Sequence, residues 1–198
     1  FQLKLIYNII SAPQDNLKNV SSNAVQMASI SISLNRSELK AFTIFQLPFL
    51  PIKDMKDFYN VFNKTVKLPL FKNELDKHNI YIWDNAPTSP FLLLGKDNPP
   101  KGLQQLWGLK TSAPIQFKSS VRDLKMQYVK TTINEIFNDY NSGRIDLILY
   151  PFSYNVSTLR LDQLSSWYVD NLKFGYSGGF VAMNKNAYDD LPDHYKKL

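Results

Sequence analysis

Residues 134–151, NEIFNDYNSGRIDLILYP, limit the fold more than any other stretch of this chain. Ile136, Phe137 and Tyr140 fall at spacings that give a helix one apolar face. Glu135 stands near the helix start, where the helix dipole favours an anion. Gly143 can take the left-handed conformation that closes a helix. Ile145 to Tyr150 reads as a buried strand, and Pro151, which cannot donate to a ladder, marks its end. A helix joined to a buried strand by so short a link is the pattern of an α/β layer. Ligands of open α/β sheets gather beyond the carboxyl ends of the strands, which puts Tyr150 at a candidate binding edge.

The rest of the chain fits the same grammar. Leu3–Ile10 is apolar and β-branched enough for a strand, and Asp15–Ser22 is a short helix candidate. Val25–Ser33 alternates apolar and polar residues and reads as a strand whose serines face solvent or a cleft. Lys53–Lys67 is the clearest helix, with Met55, Phe58, Tyr59, Phe62 and Val66 at spacings of three and four. Leu70–Lys77 continues as a helix after Pro69, and Ile80–Trp83 is a short strand. Breaker clusters at 84–90 and 95–100 place the main domain transition. Beyond it, the pattern predicts a strand over Leu109–Ala113 and helices over Ser119–Tyr128 and Leu161–Val169. It also predicts a strand over Phe180–Met183 and a helix starting at Tyr188.

Composition narrows the function. Hydrophobic residues make up 44% of 198, so a packed core is expected. No cysteine is present, which removes thiol catalysis, disulfides and thiolate metal sites together. The chain begins at Phe1 in strand-like sequence, as a processed or truncated product would. Net charge is +6, yet no run of five basic residues exists, so the lysines read first as a solvated surface. His78 and His194 each lie in polar sequence beside a charge. HExxH, GxSxG, Walker and GxGxxG patterns are all missing, so neither a catalytic metal nor a cofactor is implied. Gly175-Tyr176-Ser177-Gly178-Gly179 could cradle an anion through its amides or serve as turn chemistry. Aromatic residues near predicted strand ends, Trp83, Tyr150 and Tyr176 among them, could line a pocket.

Several landmarks fall in one order: Val25-Gln26-Met27, Leu47-Pro48-Phe49-Leu50, Trp83-Asp84-Asn85 and Leu106-Trp107-Gly108-Leu109-Lys110. Asn134-Glu135 then leads to Gly143-Arg144-Ile145-Asp146, Tyr150-Pro151, and Asn184-Lys185 before Asp190-Leu191-Pro192. In this order the chain resembles the extracytoplasmic solute-binding subunits of TRAP transporters, the DctP-like family. The resemblance implies an α/β, two-lobe periplasmic-binding-protein-like fold with strands crossing between lobes, incomplete at both ends. Residues 1–94 would be the first part of lobe I, 95–176 lobe II, and 177–198 the return to lobe I. It further implies a periplasmic or extracytoplasmic receptor, not an enzyme, that closes on a small solute. The solute would pass to the membrane permease subunits of a TRAP transporter, and no nucleic acid partner is expected.

The sequence departs from the family where the solute is held. Members usually carry an arginine shortly after the Gly-Leu-Lys segment, pairing bidentately with a solute carboxylate; Ser112 falls there. Tyr150 stands where an asparagine is frequent, and Ala86 where a glycine is common. A buried carboxylate without a cation is strongly disfavoured. Lys96 or Arg122 could supply the charge, the solute could be neutral or stacked on Trp83 and Tyr150, or the scaffold could serve another use. The candidate contacts are Ser31, Trp83, Lys96, Ser112, Tyr150 and Tyr176. The alternative is a repurposed scaffold that recognises a macromolecular partner through its basic surface, with binding that falls steeply with salt.

Overall fold

The computed structural model describes residues 4, 12–86, 89–151, 154–172, 174–176 and 178–196. The strand expected over Leu3–Ile10 lies outside them, Lys4 apart. In chain order the first elements are α1 (Asn16–Ser21), β1 (Met27–Ser31), α2 (Met55–Thr65), α3 (Pro69–Lys77), β2 (Ile80–Asn85) and β3 (Phe91–Gly95). Next come β4 (Lys110–Ser112), α4 (Lys118–Asp123), β5 (Gln127–Val129), α5 (Ile136–Asn141) and β6 (Leu147–Pro151). The last are α6 (Tyr154–Thr158), β7 (Trp167–Val169), β8 (Gly179–Asn184), α7 (Lys185–Asp189) and α8 (Asp193–Lys196).

The described residues divide into two compact α/β units. One lies within Phe1–Phe45, Ile52–Pro87 and Gly178–Leu198, and the other within Gln46–Pro51 and Thr88–Ser177. The first has a three-stranded sheet in the order β1-β8-β2. Both outer strands run antiparallel to β8, so β1 and β2 are parallel to each other. One side of this unit is a cluster of phenylalanines. Phe42 packs edge-on to Phe71 at 5.0 Å and lies 5.2 Å from Phe180, while Phe45 lies 4.7 Å from Phe62. Helix α2 supplies Phe58 and Phe62 from its apolar stripe, and the Asp54 carboxylate caps it by accepting from the Asp57 amide at 2.8 Å.

The second unit has a five-stranded sheet in the order β5-β4-β6-β3-β7. Strand β4 is parallel to β5 and β6, and β3 is antiparallel to β6 and β7. Both faces of this sheet are covered. Phe91, Leu93, Phe117, Leu149 and Phe174 pack on one side, and Leu94, Ile136, Tyr140, Ile148 and Leu161 on the other.

Three sequence expectations change here. Phe91–Gly95, passed over between the two breaker clusters, is β3, buried along its whole length in the middle of the sheet. An unbroken apolar run suits a strand covered on both faces, and period-two alternation does not mark it. The helix expected over Ser119–Tyr128 stops at Asp123, because Lys125 adopts a left-handed conformation with φ of 60° and the chain restarts as β5. The helix expected over Leu161–Val169 is a single 3-10 turn at Leu161–Gln163 followed by β7. Gly143 does close α5 with φ of 77°, and the chain then enters β6. Pro151 is the last residue of β6, opposite Phe91.

Candidate functional site

In the second unit, parallel pairing decides where side chains gather. Ser112 ends β4 opposite Ile148 of β6, and Tyr150 lies two residues further along β6. Strand β3 runs the other way, so its first residues meet the end of β6: Phe91 pairs with Pro151 and Leu92 with Tyr150. Pro90 bridges Tyr176, and the Phe91 amide donates to the Gly175 carbonyl at 2.8 Å. Ser112, Tyr150 and Tyr176 therefore share the edge at the carboxyl ends of β4 and β6. Tyr176 and Ser112 are buried and Tyr150 is half-buried. Gly175 makes the approach possible: its φ is 143°, and a Cβ there would lie 3.0 Å from the Leu47 carbonyl oxygen.

Lys96 lies at the other end of the sheet. It follows Gly95, whose partner on β6 is Leu147, the first residue of that strand. Its ammonium donates to the Tyr140 carbonyl and sits 4.4 Å from the centre of the Tyr140 ring. The structure thus does not bring Lys96 to the edge of Ser112 and Tyr150. Instead Lys96 lines a depression of about 1090 Å³ together with Asp97, Lys101, Asp146 and Trp167. Arg122, the other cation considered, is exposed on α4.

The first unit presents a second strand edge of its own. Ser31 ends β1 opposite Gly179, and Asn85 ends β2 opposite Phe180. Asn85 is a residue that the sequence reasoning quoted and did not choose. It is 6% exposed, donates through Nδ2 to Asn63 Oδ1 at 3.1 Å, and leaves its own Oδ1 buried without a hydrogen bond. Trp83 sits in the irregular part of β2 and is 43% exposed. Its ring meets Tyr188 edge-on at 6.4 Å. Tyr188 belongs to α7, which follows the end of β8 where Asn184 pairs with Ile80. Trp83 therefore leans away from the edge that Ser31 occupies.

Asp139 and Tyr140, on α5, are two ionisable groups of the second unit with shifted pKa values. Asp139 accepts from the Thr131 hydroxyl at 2.7 Å and from Arg144 Nη1 at 3.0 and 2.9 Å. The Thr131 hydrogen bond, and after it Arg144, hold its carboxyl below the usual aspartate range against the cost of burial. Burial pushes the Tyr140 phenol up, and a hydrogen bond from Ser165 partly opposes it. Among the described residues no group of three histidine, aspartate or glutamate side chains could hold a metal ion. The side chains at these strand ends are uncharged: Ser31 and Asn85 on the first unit, and Ser112, Tyr150 and Tyr176 on the second.

Known structures share this architecture. A Bordetella pertussis extracytoplasmic solute receptor that binds pyroglutamic acid, DctP7, is 22% identical with a TM-score of 0.69, over 96% of this chain and 62% of its own. A TRAP periplasmic solute-binding protein from Desulfovibrio salexigens, in an open complex, is 15% identical with a TM-score of 0.81, over 96% and 57%. A marine metagenome TRAP solute-binding protein specific for aromatic acids, in complex with 3-hydroxybenzoate, is 17% identical with a TM-score of 0.75, over 94% and 58%. At such identities the likeness is one of fold, and the chain spans about three fifths of the length of these relatives. None of the curated proteins compared matches the chain. The class is thus a two-unit α/β protein with the fold of TRAP solute receptors. The chain belongs to the DctP family, the bacterial extracellular solute-binding proteins of family 7, whose model it matches over residues 7–198.

Proposed function

We propose that this chain is the receptor part of a TRAP-type transport system. It captures a small organic acid, or another small polar or aromatic solute, outside the cytoplasmic membrane and hands it to the membrane permease subunits. It turns nothing over. The observation that carries this reading is the shared edge of Ser112, Tyr150 and Tyr176 at the carboxyl ends of β4 and β6. That is where ligands of such sheets gather.

The same geometry favours a solute that needs no arginine clamp. Ser112 brings one hydroxyl and no charge, and Lys96 is spent on Tyr140 at the opposite sheet edge. On the first unit, Ser31 and the unsatisfied Asn85 carbonyl oxygen stand at one strand edge. An acceptor there suits a solute that carries a hydroxyl or N–H donor. Lactams and hydroxylated aromatic acids are the first compounds to try. The test is calorimetric titration of the full-length protein against such a panel. The Ser112→Ala and Tyr150→Ala variants should each weaken the identified solute by about tenfold, the scale of one hydrogen bond or stacking contact. Unchanged affinity in both would remove this edge from the binding site.

A further inference from the structure

The basic balance of the chain is not spread evenly. Residues 96–130 carry seven lysines and arginines against Asp97 and Asp123, a net +5 out of +6 for the whole chain. Folding then lines several of these cations up. Lys118 and Arg122 stand four apart on one face of α4, and Lys125 continues the basic stripe from the left-handed turn that ends the helix. Each end of this stripe rests on an aromatic ring. Lys118 Nζ is 5.7 Å from the centre of Tyr128, and Lys125 Nζ is 4.0 Å from the centre of Trp107. Lys130 lies two residues beyond Tyr128, past the end of the edge strand β5.

Large apolar side chains stand out of the protein beside this stripe. Trp107 is 50% exposed and Leu103 48%, both at the 3-10 turn Leu103–Leu106. The turn is held in place at its far end, where the Gly108 amide donates to the Lys125 carbonyl at 2.8 Å. Lys101 precedes it. A tryptophan and a leucine on one short turn, flanked by lysines, is chemistry for a surface that is anionic outside and apolar just beneath. A soluble acidic polymer would engage the lysines and leave the leucine in water. At the headgroup level of a bilayer, tryptophan is a preferred residue and each basic side chain adds attraction to anionic lipid.

We propose that the face formed by α4, its following turn and the Leu103–Trp107 turn docks reversibly on an anionic phospholipid surface. Lys118, Arg122 and Lys125 meet the phosphates, and Trp107 with Leu103 enters the headgroup layer. No helix among the described residues is long and apolar enough to cross a membrane, so this contact is peripheral. It would hold the protein at the bilayer through the second unit, whatever solute the protein carries.

Co-sedimentation of the full 198-residue chain with vesicles tests this. Vesicles of phosphatidylglycerol and phosphatidylcholine should pull the protein down and those of phosphatidylcholine alone should not, with binding that weakens as salt rises. Lys125→Glu should lower the partition coefficient roughly tenfold or more, since it reverses one charge at the contact. Lys64→Glu, which makes the same change of net charge on the exposed face of α2, should lower it far less. Vesicles should also shift the tryptophan emission to the blue, and Trp107→Phe should abolish the shift. Failure to bind phosphatidylglycerol vesicles would overturn the proposal. So would an equal loss in Lys64→Glu and Lys125→Glu, which would mean diffuse charge attraction. Binding without a Trp107 shift, fully displaced by soluble polyglutamate, would assign the face to an acidic macromolecule and refute the lipid.

Discussion

Asp139 shows what one side chain does for this chain. Its carboxylate collects the Thr131 hydroxyl and the Arg144 guanidinium, and its backbone carbonyl accepts from the Ile145 amide just before β6. One residue thus fastens the approach to α5 and the entry to the central strand. Because its folded pKa is depressed, the unfolded chain binds the extra proton first as the medium is acidified. The stabilisation is complete above the ordinary aspartate range and is lost as pH falls through the lowered value. Asp139→Asn should therefore destabilise the protein at neutral pH, and its difference from wild type should shrink in strong acid. Urea unfolding across that pH range measures it. Thr131→Val should raise the Asp139 pKa, because the hydroxyl is the largest single cause of its depression. A carbon-detected titration of the carboxyl reads this directly.

Gly95 is a second residue whose identity is dictated by a neighbour. A Cβ there would run into the Trp167 ring, whose Nε1 donates to the Lys96 carbonyl at 2.5 Å. Gly95→Ala should cost about 1–3 kcal/mol by overpacking, measured by chemical denaturation. A neutral result would mean that the indole moves freely.

At the scale of elements, α2 and β3 make a useful contrast. Helix α2 was readable because Met55, Phe58, Tyr59, Phe62 and Val66 repeat at spacings of three and four, and the Asp54 cap that starts it emerged with the structure. Asp54→Ala should remove about 1 kcal/mol, visible in the denaturation midpoint with an unchanged slope. Phe62→Ala, inside the phenylalanine cluster, should remove about 3–5 kcal/mol. Strand β3 was missed because its burial on both faces erases alternation and its flanks are rich in proline. Strand β7 and the end of α4 were missed for another reason. Leu161, Leu164, Trp167 and Tyr168 carry helical spacing on paper, but pairing of Trp167 and Tyr168 with Gly95 and Leu94 outweighs so short a helical preference. At Lys125 a left-handed turn ends the helix without a glycine to announce it.

For the whole molecule, the prediction is linkage. A true solute at about a hundred times its dissociation constant should stabilise the protein by about 2.7 kcal/mol and raise the melting temperature accordingly. Differential scanning calorimetry against the panel of acids and neutral analogues measures this. A neutral or hydroxylated aromatic hit would agree with serine at position 112. A hit confined to small monocarboxylates would point to a cation that the Ser112 edge does not supply.

The order of landmarks from Val25-Gln26-Met27 to Asp190-Leu191-Pro192, read in the sequence, was enough for the family, and the helix-glycine-strand stretch was enough for an α/β layer. These are local matters: a periodic stripe, a cap, a glycine with positive φ and a proline each act over a few residues. The sequence also named Ser112, Tyr150 and Tyr176. Strand pairing alone put them on one edge, sent Lys96 to the other, and turned Trp83 toward Tyr188. Which strands are neighbours, and in which direction they run, depends on contacts between residues far apart in the chain. Edge and face at a site follow from that pairing, and no window of sequence contains it.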